Sequence, residues 1–333
     1  MMVSANRDVT FDIMKGIGIL LMLFCHYKPE YQWPHQFIYS FHMPLFFIVA
    51  GYFSKPLKDS VWEGIKKNAK RLLLPFIVTQ LLIIAWGGVQ TLVEHDLSFV
   101  IKHGLSLLWG GADLINSKWG MIYVGPIWFL PALFWGKTLF EIISKKLNSW
   151  KLLAVCVSIS IASIFLHRFV NSPWCIIQGL SSLTFISIGY LFKQKLFPRW
   201  LFWIALACWP VAMLFSNIEM VYCTYKYYVL DVFGACGGIM FVWWISNQIK
   251  KINLFYKPLA WIGVLSLVVL CFHNFEWFSE LPYYIVAYFP FTIHGFLMIL
   301  FRFVFTIALV FVVAYTPFIR SVYGVRKSAF NYE

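Results

Sequence analysis

Three polar side chains interrupt the first long apolar run of the chain, FDIMKGIGILLMLFCH at residues 11–26. In a helix, Lys15 and His26 differ by only about 20° around the axis, and Asp12 lies within about 60° of both. The rise from Lys15 to His26 is roughly 16 Å, which places the imidazole about halfway across a bilayer. An imidazole can act as a general base on a hydroxyl, and an ammonium group can hold an anion. Because unpaired charges are costly inside a membrane, we predict a reaction site or a transfer path on this helix face.

Composition places these residues in a membrane protein. The chain has 333 residues, of which 61% are hydrophobic and only 12% are charged, and its mean hydropathy is +0.74. No soluble domain buries that much apolar surface, so we predict an all-α polytopic integral membrane protein with about ten transmembrane helices. The predicted spans are residues 13–28, 40–54, 72–90, 122–143, 152–170, 175–192, 200–216, 227–248, 258–275 and 296–318. The apolar segment 281–295 contains two prolines and is interpreted as interfacial or re-entrant.

The basic residues are distributed unevenly between the predicted loops. If the N-terminus is cytoplasmic, 21 of the 27 Lys and Arg residues fall on the cytoplasmic side. The positive-inside rule predicts such a split, so both termini are predicted to be cytoplasmic. Basic loops against an anionic lipid bilayer then explain the formal net charge of +13 without a nucleic-acid partner. The richest cluster, residues 55–71, is predicted to form an amphipathic cytoplasmic helix for lipid contact or for docking a phosphorylated donor.

Several classes of function lack their expected sequence marks. The chain contains no nucleotide-binding GxxxxGK[ST] loop and no zinc-protease HExxH motif. Its seven cysteines form no CxxC pair, so we predict reduced packing residues and no metal site. We expect one membrane-embedded domain over residues 1–333, without a soluble domain or a cleaved signal peptide.

Three further segments place polar or aromatic side chains in apolar surroundings. They are SFHMPLFFIVAGYF at 40–53, GPIWFLPALF at 125–134 and IGVLSLVVLCFHNF at 262–275. In the last segment, Ser266 and His273 are seven residues apart and share a helix face, and Gly263 allows a neighbouring helix to approach closely. Ordinary helix packing is the alternative to a functional role for each of these residues. The acceptor-side or supporting candidates are Ser40, His42, Trp128, Ser266 and His273.

These segments resemble those of acyltransferase family 3, a family of integral membrane proteins, and most closely its fucose 4-O-acetylase-like branch. The matching pieces occur in the family's order and together span nearly the whole chain. The first contains Asp12, Lys15, Gly16 and His26 in the pattern D-x-x-K-G followed by H. The others are FHMPLFF at 41–47 with Gly51 and Tyr52, RLLLPF at 71–76, IWFLPALF at 127–134, GLSSLTFISIGYLF at 179–192, and IG-x-x-SL followed by H with Gly263, Ser266 and His273.

The resemblance implies ten core helices, an acyl-CoA donor that enters from the cytoplasm, and transfer of an acyl group, usually acetyl, to a carbohydrate hydroxyl. In the family, a basic residue and a histidine separated by ten residues on the first helix are central to activity. Lys15 and His26 match that spacing, with lysine where many members have arginine, and lysine lacks the bidentate fork of arginine. Ala50 stands where many relatives have serine before the Gly-Tyr pair, so it receives no catalytic role.

We therefore predict a multi-pass O-acyltransferase of the bacterial inner (cytoplasmic) membrane, and in particular an O-acetyltransferase. The donor substrate is predicted to be acetyl-CoA, with its phosphates on Lys15 and Arg71 and with no permanently bound cofactor. His26 is predicted to deprotonate the hydroxyl or to relay the acetyl group, while Asp12 pairs with Lys15 and fixes its position. The predicted acceptor is a glycan or a lipid-linked sugar, and assembly into a homo-oligomer is left open.

Two alternatives remain open from the sequence. A transporter that moves an acyl group, a proton or a glycan precursor without chemistry of its own would use the same buried polar residues. A catalytically inactive scaffold of a polysaccharide-assembly complex is the second alternative.

Overall fold

The computed structural model describes residues 8–27, 32–57, 60–112, 122–147, 149–216, 218–279 and 294–325. The helices, numbered in chain order, are α1 (Val9–Tyr27), α2 (Gln32–Tyr39), α3 (His42–Phe53), α4 (Val61–Glu94), α5 (Ser98–Trp109), α6 (Phe129–Ile143), α7 (Ser149–His167), α8 (Ile176–Ser181), α9 (Leu183–Lys193), α10 (Arg199–Phe215), α11 (Tyr228–Ile249), α12 (Asn253–Val264), α13 (Ser266–Ser279), α14 (His294–Tyr315) and α15 (Pro317–Val322). Short 3-10 helices occupy Gly125–Trp128, Pro173–Cys175 and Met220–Tyr222. Two strands, β1 (Ile218–Glu219) and β2 (Thr224–Tyr225), form a small antiparallel hairpin.

The predicted all-α polytopic architecture is confirmed. Over the described ranges, seven helical segments are long and apolar enough to cross a membrane. Two bent helix pairs, α8 with α9 and α12 with α13, raise this number to as many as nine, and the shorter apolar helix α10 occupies the position of the seventh predicted span. The count of ten spans stays a prediction. The predicted interfacial piece at 281–295 lies almost wholly outside the described residues.

The sequence predicts an amphipathic cytoplasmic helix at 55–71; in the structure, the helical part of this basic cluster is the start of the longer helix α4. The helix begins only at Val61, where the Ser60 hydroxyl accepts a hydrogen bond from the Glu63 backbone N–H at 3.2 Å. Such an N-cap satisfies one of the backbone donors at a helix start. The same helix then continues without interruption to Glu94, so its basic first turns are rigidly joined to a membrane-crossing segment.

Two glycines allow α1 and α12 to cross in direct backbone contact. A Cβ atom on Gly263 would lie 1.7 Å from the backbone oxygen of Asp12, and one on Gly16 would lie 2.1 Å from that of Leu259. Only glycine fits at both points, because any side chain would push the helices apart. The close approach predicted for Gly263 is therefore confirmed, and it fixes the part of α1 that carries Asp12 and Lys15.

A sharp bend at Leu265 separates α12 from α13. The two helices differ in direction by 68°, so α13 turns away from the course of α12. The apolar side of α13 enters the largest buried cluster, which also contains Phe47 of α3, Phe76 of α4 and Phe185 of α9. This packing holds the polar face of α13 against the end of α1, where the candidate site is assembled.

Candidate active site

The imidazoles of His26 and His273 are in direct contact. His26 Nδ1 lies 3.0 Å from His273 Nε2, and the two rings stack with their centroids 5.2 Å apart. One helical turn further along α13, Glu276 Oε2 lies 3.3 Å from His273 Nδ1. The other oxygen of this carboxylate, Oε1, accepts a hydrogen bond from Arg302 Nε of α14 at 2.5 Å. Four polar side chains from three helices thus form one continuous series of contacts.

The contacts favour one placement of the imidazole hydrogens. His273 Nδ1 faces Glu276 at ion-pair distance, without the geometry of a hydrogen bond. With Glu276 ionised and therefore only an acceptor, a hydrogen on His273 Nδ1 suits that contact and leaves His273 Nε2 as an acceptor. His26 Nδ1 must then donate to it, which leaves the lone pair of His26 on Nε2. His273 is fully buried, whereas His26 is only partly buried and lines a cavity. The available base therefore belongs to the imidazole that a substrate can reach.

Trp277 and Arg302 complete the surroundings of the two histidines. The Trp277 ring lies edge-on to His26 and to His273, with centroid distances of 5.7 and 5.9 Å. The Arg302 guanidinium stands over the Trp277 ring at 5.5 Å, a cation–π distance. Because Arg302 also pairs with Glu276, it compensates the charge of a fully buried carboxylate.

A short backbone segment before α6 is attached to α13 and α4. The Asn274 side-chain oxygen accepts from the Ile127 backbone N–H at 3.4 Å, and Gln80 Nε2 donates to the Val124 carbonyl at 3.1 Å. Gly125 has a φ of +76°, and a Cβ there would lie 2.3 Å from the Asn274 oxygen. The glycine therefore lets the backbone pass close to α13 at Asn274, the residue that follows His273.

A cavity of about 1160 Å³ extends from His26 toward both ends of the helices. One end, called the inner end below, lies among the first turns of α1 and α4 and the last turns of α6. Its basic lining residues are Lys15, Lys55, Lys67, Arg71 and Lys137. The opposite, outer end lies by α2, the hairpin β1–β2 and the segment before α6. Its polar and aromatic lining residues are His35, Tyr39, Tyr123, Glu219 and Tyr222.

A polar cluster on α6 reinforces the inner end. Lys137 Nζ pairs with Glu141 and lies 3.4 Å from Ser54 Oγ. Asn68 Nδ2 of α4 donates to Glu141 Oε2 at 2.8 Å and to Thr138 Oγ1 at 3.1 Å. Asn68 and Glu141 are buried, so these bonds join α4 to α6 and set the position of Lys137 in the cavity wall.

The structure places the residues of the first helix as follows. Asp12 is buried and its Oδ1 lies 2.9 Å from Lys15 Nζ, as the spacing predicts. Lys15 and Arg71 both line the inner end of the cavity. His26 lies in the last turn of α1 rather than halfway along its path, since the helix ends at Tyr27.

The acceptor-side candidates divide into two groups. His42, Trp128 and Ser266 line the cavity, and His273 contacts His26 directly. Ser40 does neither: its hydroxyl donates to the Phe37 carbonyl at 2.7 Å and accepts from Trp209 Nε1 at 2.9 Å. It also does not cap α3, whose N-cap is Phe41. Ser40 therefore supports the α2–α3 turn instead of facing a substrate.

Sequence reasoning missed four polar residues of the site. Glu276 follows His273 by three residues in an apolar segment, and this spacing on one helix face could have identified it. Lys137 and Glu141 have the same kind of signal, a charged i,i+4 pair inside a span. Arg302 offered no such signal, because its partner lies on a different helix.

Sequence comparisons relate this chain to a protein family and to two curated proteins. An Acyltransferase domain model matches residues 8–316. The Nodulation protein NolL of Mesorhizobium japonicum is 30% identical over 207 residues, which are 57% of this chain and 49% of that protein. The Nodulation protein NolL of Sinorhizobium fredii is 28% identical over 231 residues, which are 63% of this chain and 57% of that protein. No solved structure matches the chain significantly.

The match to the family model covers far more of the chain than the matches to individual relatives. The aligned parts span only about half the length of the two curated relatives. The family model, by contrast, extends from just before α1 to the end of α14 and includes every residue of the site described above. The chain belongs to acyltransferase family 3, the integral membrane acyltransferases.

Proposed function

We propose that this protein is a membrane O-acetyltransferase that moves an acetyl group from cytoplasmic acetyl-CoA to a sugar hydroxyl of a surface or exported glycan. The observation that carries the proposal is the chain of His26, His273 and Glu276 at the wall of a cavity with two chemically different ends. Family membership supplies the class of reaction, which needs an acyl donor, an acceptor and a membrane. We place the protein in the bacterial cytoplasmic membrane.

The inner end of the cavity fits the phosphates of acetyl-CoA. Five cationic side chains line it, against the two carboxylates of Glu63 and Glu141. Lys and Arg bind phosphate through charge-assisted hydrogen bonds, and the exposed Arg71 can present its guanidinium fork. Lys15, at this end, shares its face of α1 with His26, so the donor's acetyl thioester would extend along that helix face. The positive-inside distribution of charge supports placing this end on the cytoplasmic side.

The reaction follows from the hydrogen positions in the relay. His26 Nε2 accepts the proton of the sugar hydroxyl, and the hydroxyl oxygen attacks the thioester carbonyl carbon. The C–S bond breaks, and the CoA thiolate leaves with the proton that the imidazolium returns. His273 and Glu276 stabilise the transient positive charge on His26 and hold its ring in the productive tautomer.

Nucleophilic catalysis is the second route for the same site. His26 Nε2 would attack the thioester first and carry the acetyl group before the sugar arrives. The two routes differ in one observable. A covalent relay releases one equivalent of CoA in the absence of acceptor, whereas general-base catalysis releases CoA only when an acceptor or water takes the acetyl group.

A transporter remains the alternative function, because the cavity extends between the two ends of the helices. The test uses purified protein in lipid nanodiscs with radiolabelled acetyl-CoA and a sugar acceptor. An enzyme produces a labelled ester and free CoA in equal amounts, and His26→Ala removes both. If the wild-type protein yields neither ester nor CoA while reconstituted vesicles still take up label, the enzyme proposal is wrong and the transporter stands.

A further inference from the structure

We propose that the outer end of the cavity is the acceptor subsite, where the hairpin β1–β2 holds a pyranose ring of the glycan through the Glu219 carboxylate and the Tyr222 ring. This inference rests on the proposed function, since it names how that function takes its second substrate. The two residues that carry it follow α10 in a segment that the sequence analysis left without a role.

The hairpin presents Glu219 and Tyr222 from a defined backbone. Ile218 pairs with Tyr225, and Glu219 pairs with Thr224. A single 3-10 turn joins the strands and ends at Cys223, whose φ of +49° lies in the left-handed region. Ile218 and Met220 are buried, whereas Glu219 is half-buried and Tyr222 is exposed, and all four line the cavity. The two buried side chains anchor the hairpin, and the other two keep surface that a ligand can reach.

The hairpin is fastened to the helices beneath it. Gln178 Nε2 of α8 donates to the Val221 carbonyl at 3.1 Å, and Cys223 Sγ lies 3.8 Å from Ser181 Oγ of the same helix. Both Gln178 and Cys223 are buried. A loop held in this way keeps its shape in the absence of ligand, so binding a ring there requires little ordering of the protein.

Aromatic rings form the facing wall of this end. His35 stacks on Tyr39 with centroids 3.8 Å apart, and Tyr39 meets His42 edge-on at 4.7 Å. All three residues line the cavity, together with Tyr123 near Gly125. Tyrosine rings offer an apolar face and a polar tip, which suits the C–H face and the hydroxyl rim of a pyranose. Trp277, which lies edge-on to His26, lines the same cavity.

The chemistry of the outer end differs from that of the inner end. Within the described part of the lining, the outer end contributes one carboxylate and several rings, while the lysines and the arginine are gathered at the inner end. A carboxylate can accept hydrogen bonds from two neighbouring hydroxyls at once, through about four lone-pair positions. Phosphates favour the inner end and a polyhydroxylated ring favours the outer end, so the two substrates would approach His26 from opposite directions.

The test measures acetyl transfer from acetyl-CoA to p-nitrophenyl α-L-fucopyranoside and p-nitrophenyl β-D-glucopyranoside by the full chain in nanodiscs. The variants are Glu219→Ala and Tyr222→Ala. The matched control is Thr224→Ala, which alters an exposed side chain on the same hairpin that does not line the cavity. Thermal midpoints of all variants verify that the hairpin changes leave the protein folded.

We expect Glu219→Ala and Tyr222→Ala each to raise KM for the pyranoside about tenfold, the effect of losing one good polar or stacking contact. In both variants, KM for acetyl-CoA should stay within about twofold of wild type. In Thr224→Ala, KM for the pyranoside and KM for acetyl-CoA should both stay within the same limit. Unchanged KM for the pyranoside in folded variants would overturn the subsite, as would an equal rise in KM for acetyl-CoA.

One further outcome separates this inference from the proposed function. If the wild type acetylates neither pyranoside but hydrolyses acetyl-CoA in a manner that His26→Ala abolishes, the subsite is wrong and the enzyme remains. If His26-dependent CoA release is also absent, the proposed function itself is wrong.

Discussion

His26 Nδ1 lies 3.0 Å from His273 Nε2, although 247 residues separate them in the chain. This contact joins the end of α1 to the middle of α13, and Glu276 extends it by a further 3.3 Å contact. The sequence analysis assigned His26 to the reaction and His273 to the acceptor side. Their contact makes them parts of one unit, whose members are expected to act together rather than independently.

The first prediction concerns this non-additivity. His26→Ala should lower kcat by about 10²–10⁴, the usual range for a general base. His273→Ala should lower it by a smaller factor, since the base remains but loses its oriented partner. The double variant should be no slower than His26→Ala alone, because each change disables the same unit. Initial rates at saturating acetyl-CoA check this, and a double variant slower by the product of the single effects contradicts it.

The second prediction concerns the tautomer that Glu276 imposes. Glu276→Gln keeps the shape of the side chain, but its amide can donate to His273 Nδ1 and so reverse the direction of the relay. We expect kcat to fall by about tenfold or more, as when the carboxylate of a catalytic triad becomes an amide. KM for acetyl-CoA should stay unchanged, since Glu276 does not line the cavity. A rise in KM with an unchanged kcat would assign Glu276 to donor binding instead.

The third prediction concerns the stability of the ion pair between Glu276 and Arg302. Arg302→Gln leaves a fully buried carboxylate without its partner and should destabilise the fold by about 3–5 kcal/mol. Glu276→Gln with Arg302→Gln should recover most of that stability but not the activity, because both charges are removed. Thermal unfolding in nanodiscs measures the effect.

A matched surface pair provides the control for the third prediction. Lys250 Nζ lies 3.4 Å from Asp8 Oδ1, and both side chains are about half exposed. Lys250→Gln should therefore change stability by less than about 1 kcal/mol. Equal losses for Lys250→Gln and Arg302→Gln would mean that burial of the Glu276 pair has no special energetic weight.

The fourth prediction concerns the crossing of α1 and α12. Gly263→Ala would place a methyl group 1.7 Å from the Asp12 backbone oxygen, so the helices must separate. Overpacking of this kind should cost about 1–3 kcal/mol and should also lower activity, because α1 carries Lys15 and His26. Gly88→Ala is the control, since a Cβ there has no atom within 4 Å and the substitution favours the helix. The prediction is wrong if Gly263→Ala leaves the melting temperature as unchanged as Gly88→Ala does.

The fifth prediction concerns the donor end of the cavity. Arg71→Ala should raise KM for acetyl-CoA about tenfold, and less at high salt, because a charge-assisted contact to phosphate is lost. With acetylpantetheine, which carries no phosphate, the variant and wild type should have the same KM. Lys251→Ala removes a cation that bonds Gln248 outside the cavity and should leave both values unchanged. An equal effect of Arg71→Ala on the two donors would exclude phosphate contact.

The sequence allowed much of the fold and part of the site to be predicted. Hydropathy places the spans because backbone polar groups in lipid must be satisfied within a helix, which makes each span a local property of the chain. The pairing of Asp12 with Lys15 and their common face with His26 follow from helical periodicity alone. The approach at Gly263 was predictable for a similar reason, since small residues mark helix contacts in membranes.

Other features lay beyond the reach of sequence reasoning. The contact of His26 with His273 requires that α13 bend by 68° from α12 and that its polar face meet the end of α1. Nothing local specifies that meeting, because it depends on how several helices pack together. Ser40 was misjudged for the same reason: its hydroxyl is taken by Phe37 and by Trp209, which is distant in the chain.

By itself, the sequence determined that this protein crosses a membrane repeatedly and that Lys15 and His26 share one helix face, since composition and periodicity act over a few turns of helix. Tertiary structure alone decided that His26 is the cavity-facing end of a series of contacts through His273, Glu276 and Arg302. It also decided that the hairpin with Glu219 lines the end of the cavity opposite the lysines. Those contacts join segments far apart in the chain, and only the packing of the helices brings them within hydrogen-bonding distance.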